Sequence, residues 1–433
     1  MWPMGRCDLS VGGAGTVWVV AAFVAFGATS LGAQSPEGRI WGEVQTVTGD
    51  VYEGFVRWDR NEGSWADVLN GTGTVPESHR RMWSEARGDQ DGDRERSIDF
   101  LGFTLSWDED DPDFPAQMES GIRFGHLDRI RVLNDEEAEL TLRSGEVLEL
   151  YGGSTDLGSD LRELVVEIPR GGSVELAWEE LEEIRFSAAP QGVAPEAQRL
   201  HGTVEDRWGN RYTGAVSWDT DEILGSDILN GEVDGRDREI PFREIAAIER
   251  DWDGSRVTLV DGQELQISGS NDVGDGHRGV QISDPALGMV EVEWDEFESV
   301  RFHAPDAEPV RDDFTGGHRL RGVVSTRGGD ELTGWIRWDA DESRSWQFLD
   351  GVWRDVVFDI EFGHIDRIER SSSRSAFVTL LDGREFELED SNDVDEDNKG
   401  IFVEVSGESG EEDGSWIRIG WDEFQAIRFL HGG

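Results

Sequence analysis

The chain has 433 residues, 93 of them Asp or Glu against 40 Lys or Arg, for a net charge of -53. A field of that sign repels nucleic acid and anionic membrane surfaces, so neither is expected as a main partner. The 18 tryptophans and the short apolar alternations throughout exclude the disordered acidic class.

At the start, Arg6 precedes an apolar run from Val17 to Phe26 and then Ser30-Leu-Gly-Ala33. A basic start, a short apolar segment and small residues describe a signal peptide over 1–33, cut between Ala33 and Gln34. The expected location is the periplasm or the cell exterior. No later run approaches the ~20 apolar residues of a spanning helix, so no membrane span is expected after cleavage. The one cysteine, Cys7, lies in the leader. The mature chain is therefore expected to lack disulfides and thiolate metal sites.

Beyond the leader, one spelling recurs three times. Trp58/Asp59/Glu62, Trp218/Asp219/Glu222 and Trp338/Asp339/Glu342 keep a constant frame, with glycines at 42 and 54, 202 and 214, 322 and 334. The offsets of 160 and 120 residues define three tandem units, at 39–186, 199–302 and 319–429. Linkers rich in Pro and Ala (188–195, 303–309) separate them. An acidic insertion over about 72–120 lengthens unit one.

Within each unit the segments are short, alternate with period two and are broken by glycine turns, which predicts strands. Val260-Asp-Gly-Gln and Leu381-Asp-Gly-Arg mark hairpins. Each half-unit ends on an aromatic followed by apolar residues three and six further on, as in Phe242/Ile245/Ile248 and Trp294/Phe297/Val300. That spacing describes a strand, one tight helical turn and a closing strand. No amphipathic helix of three turns occurs in the mature chain, so the expected fold is all-β. The half-unit pattern resembles the small SH3-like and Sm-like barrels, as an analogy of fold only, and implies three repeats that are each a pair of such barrel or sandwich modules.

Three features invite a chemical reading. In Trp-Asp-x-x-Glu the two carboxylates could act as acid and base, but the simpler expectation is a capping box, with Asp accepting from a nearby N–H and Glu reaching back. Its recurrence favours a fold device. The second feature is Ser154-Thr-Asp156, Ser270-Asn-Asp272 and Ser391-Asn-Asp393, each followed by a basic residue (Arg162, Arg278, Lys399). In unit three the loop offers Asp393, Asp395 and Asp397 with Glu404 at the twelfth place, a carboxylate spacing suited to calcium. A turn joining two strands is the competing reading. Third, His126 and His364 share Phe-Gly-His-x-Asp-Arg-Ile, without a second ligand at zinc spacing. No nucleophile motif or phosphate loop is present.

The expected function is that of a non-catalytic, exported, acidic β-repeat protein, a binding or structural scaffold for a protein or polysaccharide. The alternative is a calcium-assisted polysaccharide binder using Trp208, Trp252 and Trp353. A secreted hydrolase ranks third.

Overall fold

The computed structural model describes residues 38–74, 98–100, 103–105, 117–152, 156–252, 254–339, 341–404 and 416–431. The segment expected to be a signal peptide, residues 1–33, and most of the expected acidic insertion lie outside them. Among the described residues the regular elements are β-strands and single 3-10 turns, with no α-helix. Two large antiparallel sheets dominate, one of ten strands built from unit one and one of eighteen strands built from units two and three.

The paired glycines sit side by side on neighbouring strands, Gly42 opposite Gly54, Gly202 opposite Gly214 and Gly322 opposite Gly334. Their role is close approach. A Cβ on Gly54, Gly214 or Gly334 would lie 2.2–2.3 Å from the carbonyl oxygen of Glu167, Ser283 or Glu404 in the adjoining strand.

The aromatic-plus-three spacing forms the expected tight turns, as 3-10 turns at Phe124–His126, Trp178–Glu180, Phe242–Glu244 and Phe362–His364. Each leads directly into a strand. The last strand of each unit then lies between the first strand and a middle one. Ile184 faces both Val44 and Ile130, Val300 faces Val204 and Ile248, and Ile427 faces Val324 and Ile368. All nine side chains are fully buried, so period-two alternation becomes a core wherever three strands present the same face.

Two hydrophobic cores result. One comprises unit one together with Phe314 and Trp346, and the other runs continuously through units two and three. The second core is continuous because strand Val356–Glu361 of unit three pairs with strand Gly288–Val292 of unit two. Val356, Phe358 and Ile360 are fully buried there.

Candidate functional site

The Trp-Asp turns are not capping boxes. Asp59 and Arg60 both adopt positive φ (40° and 68°), as do Asp219 and Thr220 (47° and 67°). Asn61 N–H and Asp221 N–H close four-residue turns onto the carbonyls of Trp58 and Trp218, the geometry of a type I′ turn. The aspartate reaches across the unit instead of along the turn. Asp59 accepts the N–H of Arg162 at 2.6 Å, Asp219 that of Arg278 at 2.6 Å, and Asp339 that of Lys399.

The Ser-x-Asp loops supply the reciprocal bonds. Trp58, Trp218 and Trp338 each donate Nε1–H to the carbonyl of Asp156, Asp272 or Asp393 at 2.7–3.0 Å. The carboxylates of those same aspartates accept the N–H of Asn70, Asn230 and Asp350 at 2.6–2.7 Å. These three bonds recur in all three units; Ser154 and Thr155 of the unit-one loop lie outside the described residues.

The glutamates of these turns are the unusual members. Glu62, Glu222 and Glu342 each have a buried Oε2 without a hydrogen-bond partner. Burial first, then the neighbouring aspartates, holds Glu62 and Glu342 well above the ordinary carboxylate range and Glu222 at about 9. Carboxyl oxygens of Asp219, Asp221 and Glu222 approach one another closely enough to hold a metal ion. Arg278 and Arg162 already occupy that charge, Arg278 pairing with Asp219 and Asp221 and Arg162 with Asp59 and Asp221. In unit three the ammonium of Lys399 forms no such pair among the described residues, and burial followed by Asp341 lifts Asp339 to about 8.

Three of the four residues singled out for calcium go to different tasks. Asp393 is buried and bonded to the Asp350 N–H. Asp395 accepts the Asp397 N–H at 2.8 Å, an Asx turn. Glu404, on strand Ile401–Glu404, pairs with Arg319 at 2.8 Å. Asp397 is exposed and Asp395 half-buried, with the exposed Glu396 between them.

Sequence reasoning missed a buried knot where the three units meet. The Arg123 guanidinium lies 3.2 Å from Glu361, close enough to pair although its Nε–H is not aligned for a hydrogen bond. His126 Nε2 is 3.3 Å from the same carboxylate and His364 Nε2 is 4.0 Å away. Arg123 also donates to the Asp284 carbonyl, and the Asp284 side chain pairs with Arg384 at 2.6 Å. Burial would raise Glu361, but Arg123, His126 and His364 outweigh it and hold the carboxyl below its ordinary value. The visible signal was that Arg123 and Glu361 both immediately precede a Phe-Gly-His turn.

An open cleft of about 740 Å3 lies between units one and two, within the range of ligand sites. Phe55, Val165, Glu167 and Glu175 form one wall and His201, Phe242, Arg243 and His303 the other. Its charged lining is mixed. Arg57 is held by Asp227 at 3.0 Å and Arg199 by Asp67 at 3.1 Å. Elsewhere, Trp252 is 98% and Trp208 51% exposed, whereas Trp353 packs against Phe358 and Phe386.

No helix among the described residues is long and apolar enough to cross a membrane. No protein-family model matches the chain, and comparison with characterised proteins returns no significant match.

Proposed function

We propose that this is a non-catalytic binding or scaffold protein, exported to the periplasm or cell exterior, and built of three tandem units that are each a pair of small barrel-like modules. The observation carrying the proposal is that the carboxylates of the Trp-Asp turns and of the Asp156, Asp272 and Asp393 loops recur in all three units and are used for folding. Each Trp-Asp turn satisfies a distant backbone N–H. A catalytic pair would be tuned once, in one environment. Among the described residues, the cleft between units one and two gives a ligand room.

Glu62→Gln, Glu222→Gln and Glu342→Gln, made singly and assayed against hydrolase substrates, test this reading. Three variants with similar stability changes and no turnover to lose are expected. Turnover by the parent that one of the three abolishes would make the protein an enzyme.

Exposure of Trp208 and Trp252 favours a second reading, polysaccharide binding. Their turns follow strands His201–Asp206 and Ile245–Asp251, which both run antiparallel to strand Phe297–Phe302 between them, so both tryptophans stand at one end of the sheet. Aromatic faces there could stack on sugar rings, with calcium held through Asp395 and Asp397.

A further inference from the structure

The edge strand Gly172–Leu176 of unit one corresponds residue for residue to Gly288–Val292 of unit two, each following a Pro-containing turn (Ile168-Pro-Arg-Gly-Gly172 and Asp284-Pro-Ala-Leu-Gly288). Their surroundings differ. The unit-two strand is covered by Val356–Glu361, with Gly288 opposite Ile360 and Val290 opposite Phe358. The unit-one strand pairs with Leu164–Ile168 and, among the described residues, with nothing on its other side.

The counterpart of the covering strand is Arg236–Pro241, and four substitutions keep it away. Arg236 and Arg238 stand where Val356 and Phe358 enter the core, and all four residues from Arg236 to Glu239 are exposed. Pro241 stands where the Glu361 N–H donates to the Leu287 carbonyl at 2.9 Å, and proline has no N–H to donate. In the same register Asp237 would face Glu175, a like-charge pair. The segment instead forms an isolated hairpin with Ile228–Val233.

The receiving side keeps what the occupied site uses. A Cβ on Gly288 would lie 1.9 Å from the Asp359 carbonyl, so glycine is needed for the incoming strand; Gly172, whose own φ of 85° also favours glycine, leaves the same approach open with nothing within 4 Å. Tyr212, which Phe358 covers edge-on at 5.8 Å, is 2% exposed, and Val290 is fully buried. Their counterparts Tyr52 and Val174 are half-buried.

We propose that strand Gly172–Leu176 is an acceptor edge for an extended segment of another polypeptide, added antiparallel as a further strand. The segment carries apolar residues at three alternate positions, matching Val356, Phe358 and Ile360, and a basic residue facing Glu175. Charge complementarity selects that residue, because Glu175 is exposed on the edge strand at the place it would face, on a chain of net charge -53. Main-chain hydrogen bonds supply affinity and the alternate side chains supply specificity. The net charge argues against a second copy as occupant. The proposal rests on the binding-protein reading and names the partner's chemistry.

The probe is a fluorescent synthetic peptide of Val356–Glu361 sequence with Val357→Arg, titrated onto the full chain by anisotropy. Saturable binding is expected, weakened at least tenfold by Gly172→Val. Glu175→Arg is expected to reverse the charge preference, favouring the peptide with Val357→Glu, and this swap remains decisive should Gly172→Val fail to fold. Arg236→Val, Asp237→Val, Arg238→Phe and Pro241→Glu together are expected to close the chain's own strand onto the edge and exclude the peptide. Absence of binding, or binding indifferent to both Gly172→Val and Glu175→Arg, overturns the acceptor edge. So does a dimer in sedimentation that the peptide dissociates, because a second copy is then the occupant. Each of these failures leaves the scaffold reading intact, since that reading stands or falls on turnover in the Glu→Gln series.

Discussion

Glu222→Gln is expected to stabilise the protein at alkaline pH and to change little near pH 5. The Glu222 carboxyl is raised from 4.5 to about 9 by burial, then by Asp221, Asp272 and Asp219. Between those values the folded chain keeps a proton that the unfolded chain releases. The stability this group contributes is therefore complete below about pH 4.5 and is lost as pH rises toward 9. At pH 8 the gap from 4.5 is about 3.5 units, worth roughly 5 kcal/mol at ~1.4 kcal/mol per unit. Partial solvent access at this side chain and local relaxation reduce that to an expected net gain of about 2 kcal/mol for the amide, which never titrates. At pH 5 the same arithmetic gives less than about 1 kcal/mol. The assay is urea unfolding of parent and variant from pH 5 to 9 at fixed ionic strength, followed by near-ultraviolet circular dichroism of the tryptophans. Stability curves that run parallel across this range would refute the reasoning, because the carboxyl would then be ionised in the folded protein with its charge compensated.

Arg123→Met should cost about 3–5 kcal/mol by leaving the Glu361 carboxylate buried without its cation, and adding Glu361→Gln should recover part of it, as read by chemical denaturation. Since Glu361 is held below its ordinary value, the parent's contribution from this group should be present above about pH 4.5 and fade on acidification, which a pH series of melts checks. Trp218→Phe removes the donor to the buried Asp272 carbonyl and part of a fully buried ring, for an expected loss of about 2–4 kcal/mol in the same denaturation assay. Sodium chloride from low to molar concentration should raise the melting temperature, because ions screen carboxylate self-repulsion over a Debye length of ~8–10 Å at ordinary strength; a flat or falling trend removes that argument. If the unit-three loop takes calcium, calcium should raise the melting temperature beyond the effect of equal ionic strength, and Asp395→Asn with Asp397→Asn should erase the excess.

The sequence by itself determined the all-β class, the hairpins at Asp261-Gly262 and Asp382-Gly383, and the tight turns after Phe124, Trp178, Phe242 and Phe362. These are local consequences of period-two alternation, of glycine placement and of an aromatic with apolar residues three and six further on. Local spelling could not reveal the partner of a turn. Trp-Asp-x-x-Glu reads as a capping box because that device lies within four residues, yet Asp59 bonds to an N–H 103 residues away. Tertiary structure also decided that Arg123, Glu361, His126 and His364 converge, since two units must pack before equivalent positions can face each other. It decided, too, which sheet edge is covered. Val356, Phe358 and Ile360 differ visibly from Arg236, Arg238 and Ile240 in the sequence, but the difference acquires meaning only beside strand Gly288–Val292. There a third-unit strand finds an apolar face and a free carbonyl at Leu287, while Arg236, Arg238 and Pro241 leave the matching edge of unit one open.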